Sequence, residues 1–138
     1  MDFSFGIGIY VKNSKEAVDL YLRAFGLTLG YHVLNEDGSY FHSELLDGEQ
    51  EALSVVEAPQ DSPKPVGNPI ELGRTFHTEE ALRQAFALLK EGGHVKMEIR
   101  ELPWSPCAAS VTDRFGVNWY LSLPQHRPPE DFKPGDEK

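Results

Sequence analysis

His42 and Glu44 stand two residues apart in the run Tyr40-Phe41-His42-Ser43-Glu44-Leu45. The run has the composition of a β-strand, and in a strand residues two apart share a face. An imidazole and a carboxylate are thereby set side by side, with Tyr40 beside them and Phe41 and Leu45 on the opposite, core-facing side. Such a pair can anchor a polar ligand, or move a proton with the carboxylate orienting the ring. The plain alternative is a wet strand face carrying ordinary polar residues. As a metal pair the two are weak, because no third ligand follows at a suitable spacing. Tyr10, Trp104 and Tyr120 offer flat aromatic area for stacking a ligand, with Trp104 set in a loop by Pro103 and Pro106. Plain core packing is the competing account of these rings, and the preferred one for Trp119. His77 reads as a residue near a helix cap, and Cys107, among Ala108, Ala109 and Ser110, as a small packing residue. Phosphate-cradling loops, dinucleotide fingerprints and nucleophile elbows are absent from the sequence.

The elements that must position these groups repeat. Phe3, Phe5, Ile7, Ile9 and Val11 alternate with smaller or polar residues, predicting a first strand with one apolar face. A helix follows, with Val18, Leu22 and Phe25 as its apolar stripe, Ser14 as N-cap and Gly26 as stop. Sixty-four residues on, the pattern returns. Ile70, Leu72 and Phe76 alternate, Thr78 caps, Leu82, Phe86 and Leu89 form the stripe, and Gly92 stops it. Three more strands follow each helix, at 28–35, 39–46 and 51–57, then at 94–101, 106–112 and 117–123. The turns fall at Glu36-Asp37-Gly38, Asp47-Gly48 and Arg114-Phe115-Gly116. Each half therefore reads βαβββ. In the last strand Val117, Trp119, Leu121 and Leu123 face inward, while Asn118 and Tyr120 take the other face.

Four of the ten prolines fall in 58–69 and four in 124–138. The chain thus divides into a first module (1–57), a Pro-rich linker (58–69), a second module (70–123) and a mobile, Pro-rich charged tail (124–138). With 138 residues, 40% of them hydrophobic and 25% charged, the sequence is that of an ordinary globular protein. The formal net charge is -9. Such a surface disfavours nucleic acid and anionic lipid, suits a cationic ligand, and also simply keeps a protein soluble. No apolar run approaches the roughly 20 residues of a membrane span. The N-terminal residues lack a signal-peptide pattern, and one cysteine makes no internal disulfide, so a cytoplasmic protein is expected.

A duplicated βαβββ unit resembles the vicinal oxygen chelate superfamily of glyoxalase, bleomycin-resistance proteins and extradiol dioxygenases. Two segments carry the resemblance: Asn13-Ser14-Lys15-Glu16-Ala17-Val18-Asp19-Leu20-Tyr21 through Phe25-Gly26, and Val111-Thr112-Asp113-Arg114-Phe115-Gly116-Val117-Asn118-Trp119. The second is similar to the D-x-F-G-V-x-W form of the branch found in phosphonate operons, often described as demethylubiquinone-methyltransferase-like. Pro103-Trp104 and Phe41-His42-Ser43 match that branch too. The resemblance implies an α+β fold in which two βαβββ modules form cupped mixed sheets, a cavity for a small molecule, and a homodimer. It also implies a divalent metal held by His, Glu or Gln. Here the implied positions fall near Gly6, at Leu53, Ser54 or Val55, at Glu71 and at Tyr120, and only Glu71 is a carboxylate. The expectation is a metal-free protein binding an aromatic or cationic small molecule through Tyr10, Tyr40, His42, Glu44, Glu71, Trp104, Asn118 and Tyr120. The alternatives are a lyase or other enzyme using a divergent metal set or His42 as acid/base, and a ligand-free structural or regulatory dimer.

Overall fold

The computed structural model describes residues 5–63 and 68–136. Its elements run β1 (Gly8–Val11), α1 (Ser14–Phe25), β2 (Thr28–Leu34), β3 (Tyr40–Asp47) and β4 (Gln50–Glu57), then β5 (Leu72–Thr75), α2 (Glu79–Lys90), β6 (His94–Leu102), β7 (Ser105–Thr112) and β8 (Asn118–Ser122). Both halves are βαβββ among the described residues, and the fold is α+β. The chain divides into two compact units, Met1–Pro65 and Val66–Lys138.

In the first unit the sheet order is β1-β4-β3-β2. The first strand pairs with β4 in parallel, and the other pairings are antiparallel. The helix packs on β1, β3 and β4. Ile9, Val11, Ser43, Leu45, Leu53 and Val55 are buried against Ala17, Val18, Tyr21 and Phe25, as the periodicity demands. Phe5 and Ile7, expected on that apolar face, are exposed instead. Regular pairing starts only at Gly8, and Ile7 adds no more than a carbonyl that accepts from the Ser54 N–H. Phe3 lies outside the described residues.

The α1 N-terminus departs from expectation. Ser14 opens the helix rather than capping it, and its hydroxyl accepts from the Tyr40 N–H at 2.9 Å. The preceding Asn13 sits in the left-handed region at φ 61° and makes no side-chain cap. The cap comes from β4: the Glu57 carboxylate accepts from the Asn13 and Ser14 N–H groups at 3.1 and 2.8 Å. Val11 and Glu57 are register partners, which sets that carboxylate at the mouth of the helix. An anion there meets both the free N–H groups and the helix dipole. Gly26 ends α1 at φ 67° as expected.

The second unit repeats the plan in the order β5-β8-β7-β6. Thr78 caps α2, accepting from the Ala81 N–H. Leu82, Phe86, Leu89, Val111, Trp119 and Leu121 form the core. Ile70 precedes β5 and is exposed, not inward as expected. Gly93 is required by packing, since a Cβ there would clash with the Thr112 carbonyl oxygen. The β7–β8 turn is built on buried Asp113. One carboxylate oxygen accepts from the Phe115 and Val117 N–H groups, and the other from Trp119 Nε1 at 2.8 Å. The Asp-Arg-Phe-Gly-Val-Asn-Trp run is thus a self-bonded turn, with Gly116 at φ 90° completing it.

In its described part, segment 124–138 makes contacts with this unit. The His126 N–H donates to the Trp104 carbonyl at 2.8 Å, and Phe132 meets the Trp104 ring edge-on at 5.8 Å.

Candidate functional site

On the first unit, strand register collects side chains on the sheet face opposite α1. Gly8 pairs with Ser54, Tyr10 with Val56, and Glu44 with Ser54. Tyr10, Ser54, Val56, Glu44 and His42 therefore share that face, while Leu45, Leu53 and Val55 turn to the helix. His42 Nε2 lies 3.0 Å from Glu44 Oε2, and the two side chains keep 34% and 30% exposure. A carboxylate oxygen accepts, so in this contact the imidazole N–H is the donor. Tyr31 joins them, its ring 6.1 Å from the imidazole. Tyr10 and Tyr31 are 67% and 66% exposed; Tyr31 lies beside the pair, while Tyr10 stands on β1, two strands across the same face.

Tyr31 could not be found by counting in twos. Between Leu29, paired with Leu45, and His32, paired with Ser43, β2 has one residue more than β3. That bulge re-aims Tyr31. A second irregularity moves Tyr40 the other way. Val33 pairs with His42 and Leu34 with Tyr40, so Phe41 is the extra residue. Phe41, expected in the core, is exposed. Tyr40, expected beside His42 on the ligand face, is buried, bonded through its N–H to Ser14 and edge-on to His32. It serves packing.

The second unit gathers a different group. Pro103 and Trp104 form the two-residue connection between β6 and β7, closed by the pairing of Leu102 with Ser105. Trp104 Nε1 donates to Tyr120 Oη at 3.1 Å, and Tyr120 Oη donates to Gln125 Oε1 at 2.9 Å. Burial pushes the Tyr120 pKa above the ordinary tyrosine value; the Trp104 bond opposes the shift and the Glu71 charge adds to it. Glu71, one residue before β5, is thereby near Tyr120. Asn118, expected to meet a ligand, is buried and fully engaged. It donates to the Asn68 and Ile70 carbonyls and accepts from Thr112 Oγ1, which pins the strand that leads into β5. Of the eight residues expected to bind a ligand, Tyr10, Tyr40, His42 and Glu44 belong to the first unit and Glu71, Trp104, Asn118 and Tyr120 to the second.

Cys107 is buried, and burial raises its thiol pKa, with Glu79 adding to the rise and Arg83 opposing it. Neither reactivity nor metal binding is favoured by such a setting. Among the described residues, no group of three His, Cys, Asp or Glu is placed to hold a metal ion. At the positions the resemblance implies, Leu53 and Val55 are buried against α1 and the Tyr120 hydroxyl is committed to Trp104 and Gln125.

Duplicated βαβββ units with this turn motif define a class. The model of the Glyoxalase/Bleomycin resistance protein/Dioxygenase superfamily matches residues 6–121, and the chain belongs to that superfamily. Among solved structures, the PhnB protein of Bacillus cereus superposes with a TM-score of 0.76 at 19% identity, over 88% of this chain and 99% of that one. Protein PA1353 of Pseudomonas aeruginosa gives 0.71 at 23% identity, over 89% and 100%. The fosfomycin resistance protein FosX of Listeria monocytogenes, solved with Mn(II) and sulfate, gives 0.63 at 12% identity, over 90% and 91%. These likenesses establish the fold. Comparison with curated proteins gives no significant match. Among the described residues no helix is long and apolar enough to cross a membrane.

Proposed function

We propose that the chain binds a flat, cationic small molecule on the sheet face that carries His42 and Glu44, without a metal ion. The 3.0 Å His42–Glu44 contact, part-buried beside exposed Tyr31 on the face that also carries Tyr10, carries this reading. Tyr10 and Tyr31 supply ring faces that attract a cation, Glu44 supplies a full negative charge, and the His42 imidazole supplies a directional polar contact. The net charge of -9 favours the approach of a cation. Superfamily membership supports small-molecule binding as the general role.

Berberine, a flat fluorescent cation, serves as the probe. Titration of the wild-type chain should give saturable binding that EDTA leaves unchanged, and His42→Ala should weaken it by about tenfold, near 1.4 kcal/mol. Absence of saturation, or equal affinity in the variant, would remove the reading.

The same dyad favours one further reading, turnover with His42 as acid/base and Glu44 orienting the ring. Should a turned-over substrate emerge, that role requires His42→Ala to lower kcat while KM holds. A rise in KM alone returns the residue to binding.

A further inference from the structure

The second unit presents a surface that the chain itself covers. Trp104 stands at the tip of the β6–β7 hairpin, held to Tyr120 by its indole N–H. Over this pair lies the C-terminal segment. Phe132 meets the indole at 5.8 Å and 89°, the Gln125 side-chain oxygen accepts from Tyr120 Oη at 2.9 Å, and the His126 N–H is bonded to the Trp104 carbonyl. Phe132 is the one large apolar side chain in 124–138. Beyond Leu123 the described segment forms turns and no helix or strand, with local bonds from the Phe132 N–H to Pro129 and from the Asp136 N–H to Lys133. A segment without regular structure, held by one ring contact and a few hydrogen bonds, opens at far lower cost than the core beneath it.

We propose that the Trp104–Tyr120 face is a binding site for an aromatic ring bearing a hydrogen-bond acceptor, and that Phe132 and Gln125 of the chain's own C-terminal segment occupy it as a displaceable strap. The chemistry of the ligand follows from what the strap supplies: a ring edge against the indole, and an oxygen that accepts from the Tyr120 phenol. An aryl amide or aryl sulfonamide carries both. Because the strap is tethered, it competes at high local concentration, and an external ligand binds with an apparent affinity reduced by the fraction of open molecules. Removing the strap's ring therefore strengthens binding rather than weakening it. No residue of the first unit takes part, so the inference stands or falls independently of the berberine result.

Two readouts on the full-length chain test it. Trp119 is buried at 3% exposure, so a change in acrylamide quenching of tryptophan fluorescence reports Trp104. Dansylamide, a neutral aryl sulfonamide, is the probe for the site. Phe132→Ala should raise the quenching constant about twofold and tighten dansylamide binding about fivefold, with Gln125→Ala moving both the same way by less. Glu130→Gln, within the strap but outside these contacts, should move neither. Circular dichroism checks the fold of each variant, and Gln125→Ala keeps the test decisive if Phe132→Ala unfolds. Unchanged quenching in both variants overturns the strap. Raised quenching with no dansylamide binding overturns the site, and weaker binding in Phe132→Ala overturns the competition.

Discussion

Asp113 shows how much one side chain carries in this fold. Its two oxygens hold the Phe115 and Val117 N–H groups and the indole of Trp119, closing the β7–β8 turn and fixing a core ring together. Hydrogen bonds to a charged, buried acceptor contribute more than neutral ones, and losing the acceptor strands buried donors. Asp113→Ala should therefore cost about 3 kcal/mol in urea unfolding, and a loss below about 1 kcal/mol would contradict this account of the turn. The motif was visible in the amino-acid sequence as a likeness to a family; what it does became clear only when its partners could be named. Asn118 teaches the opposite lesson. Alternation correctly set it on the same face as Tyr120, yet three hydrogen bonds absorb its amide, and two of them reach carbonyls about 50 residues away in sequence. Period two gives a side chain its face and says nothing of what already sits there.

At the scale of elements, both helices and all eight strands of the described residues were legible, because apolar periodicity and turn residues agree with each other. The misreadings cluster where the pairing slips. Two irregularities between β2 and β3 expose Phe41, bury Tyr40 and bring Tyr31 to His42, and bulges leave no trace in a count of alternating residues. Helix capping divides similarly. Thr78 caps α2 from its own position, whereas α1 takes its cap from Glu57 on a neighbouring strand, 43 and 44 residues along the chain. Only the parallel pairing of β1 with β4 creates that contact. Glu57→Ala should destabilise the protein by about 1 kcal/mol, through the loss of two acceptors and of a negative charge at the helix N-terminus. The loss should shrink in high salt, which screens the charge but not the hydrogen bonds. Thermal unfolding at low and high ionic strength measures both effects. A variant as stable as the wild type would show that water satisfies those N–H groups equally well.

Across the whole molecule, two units of one plan carry unlike surfaces. The first leaves a carboxylate-held imidazole and two tyrosines open on its sheet. The second covers its Trp104–Tyr120 pair with the chain's own C-terminal segment. Both units share one βαβββ plan, with sheet orders β1-β4-β3-β2 and β5-β8-β7-β6. Fold alone does not select a ligand; the side chains on the open face do. The most direct measurement is therefore the location of bound berberine by backbone amide chemical shifts in isotopically labelled protein. The account predicts shifts concentrated at residues 8–10, 31–33, 42–44 and 54–56, with the amides of β6 to β8 unmoved. Shifts confined to the second unit, or none at saturating probe, would contradict it.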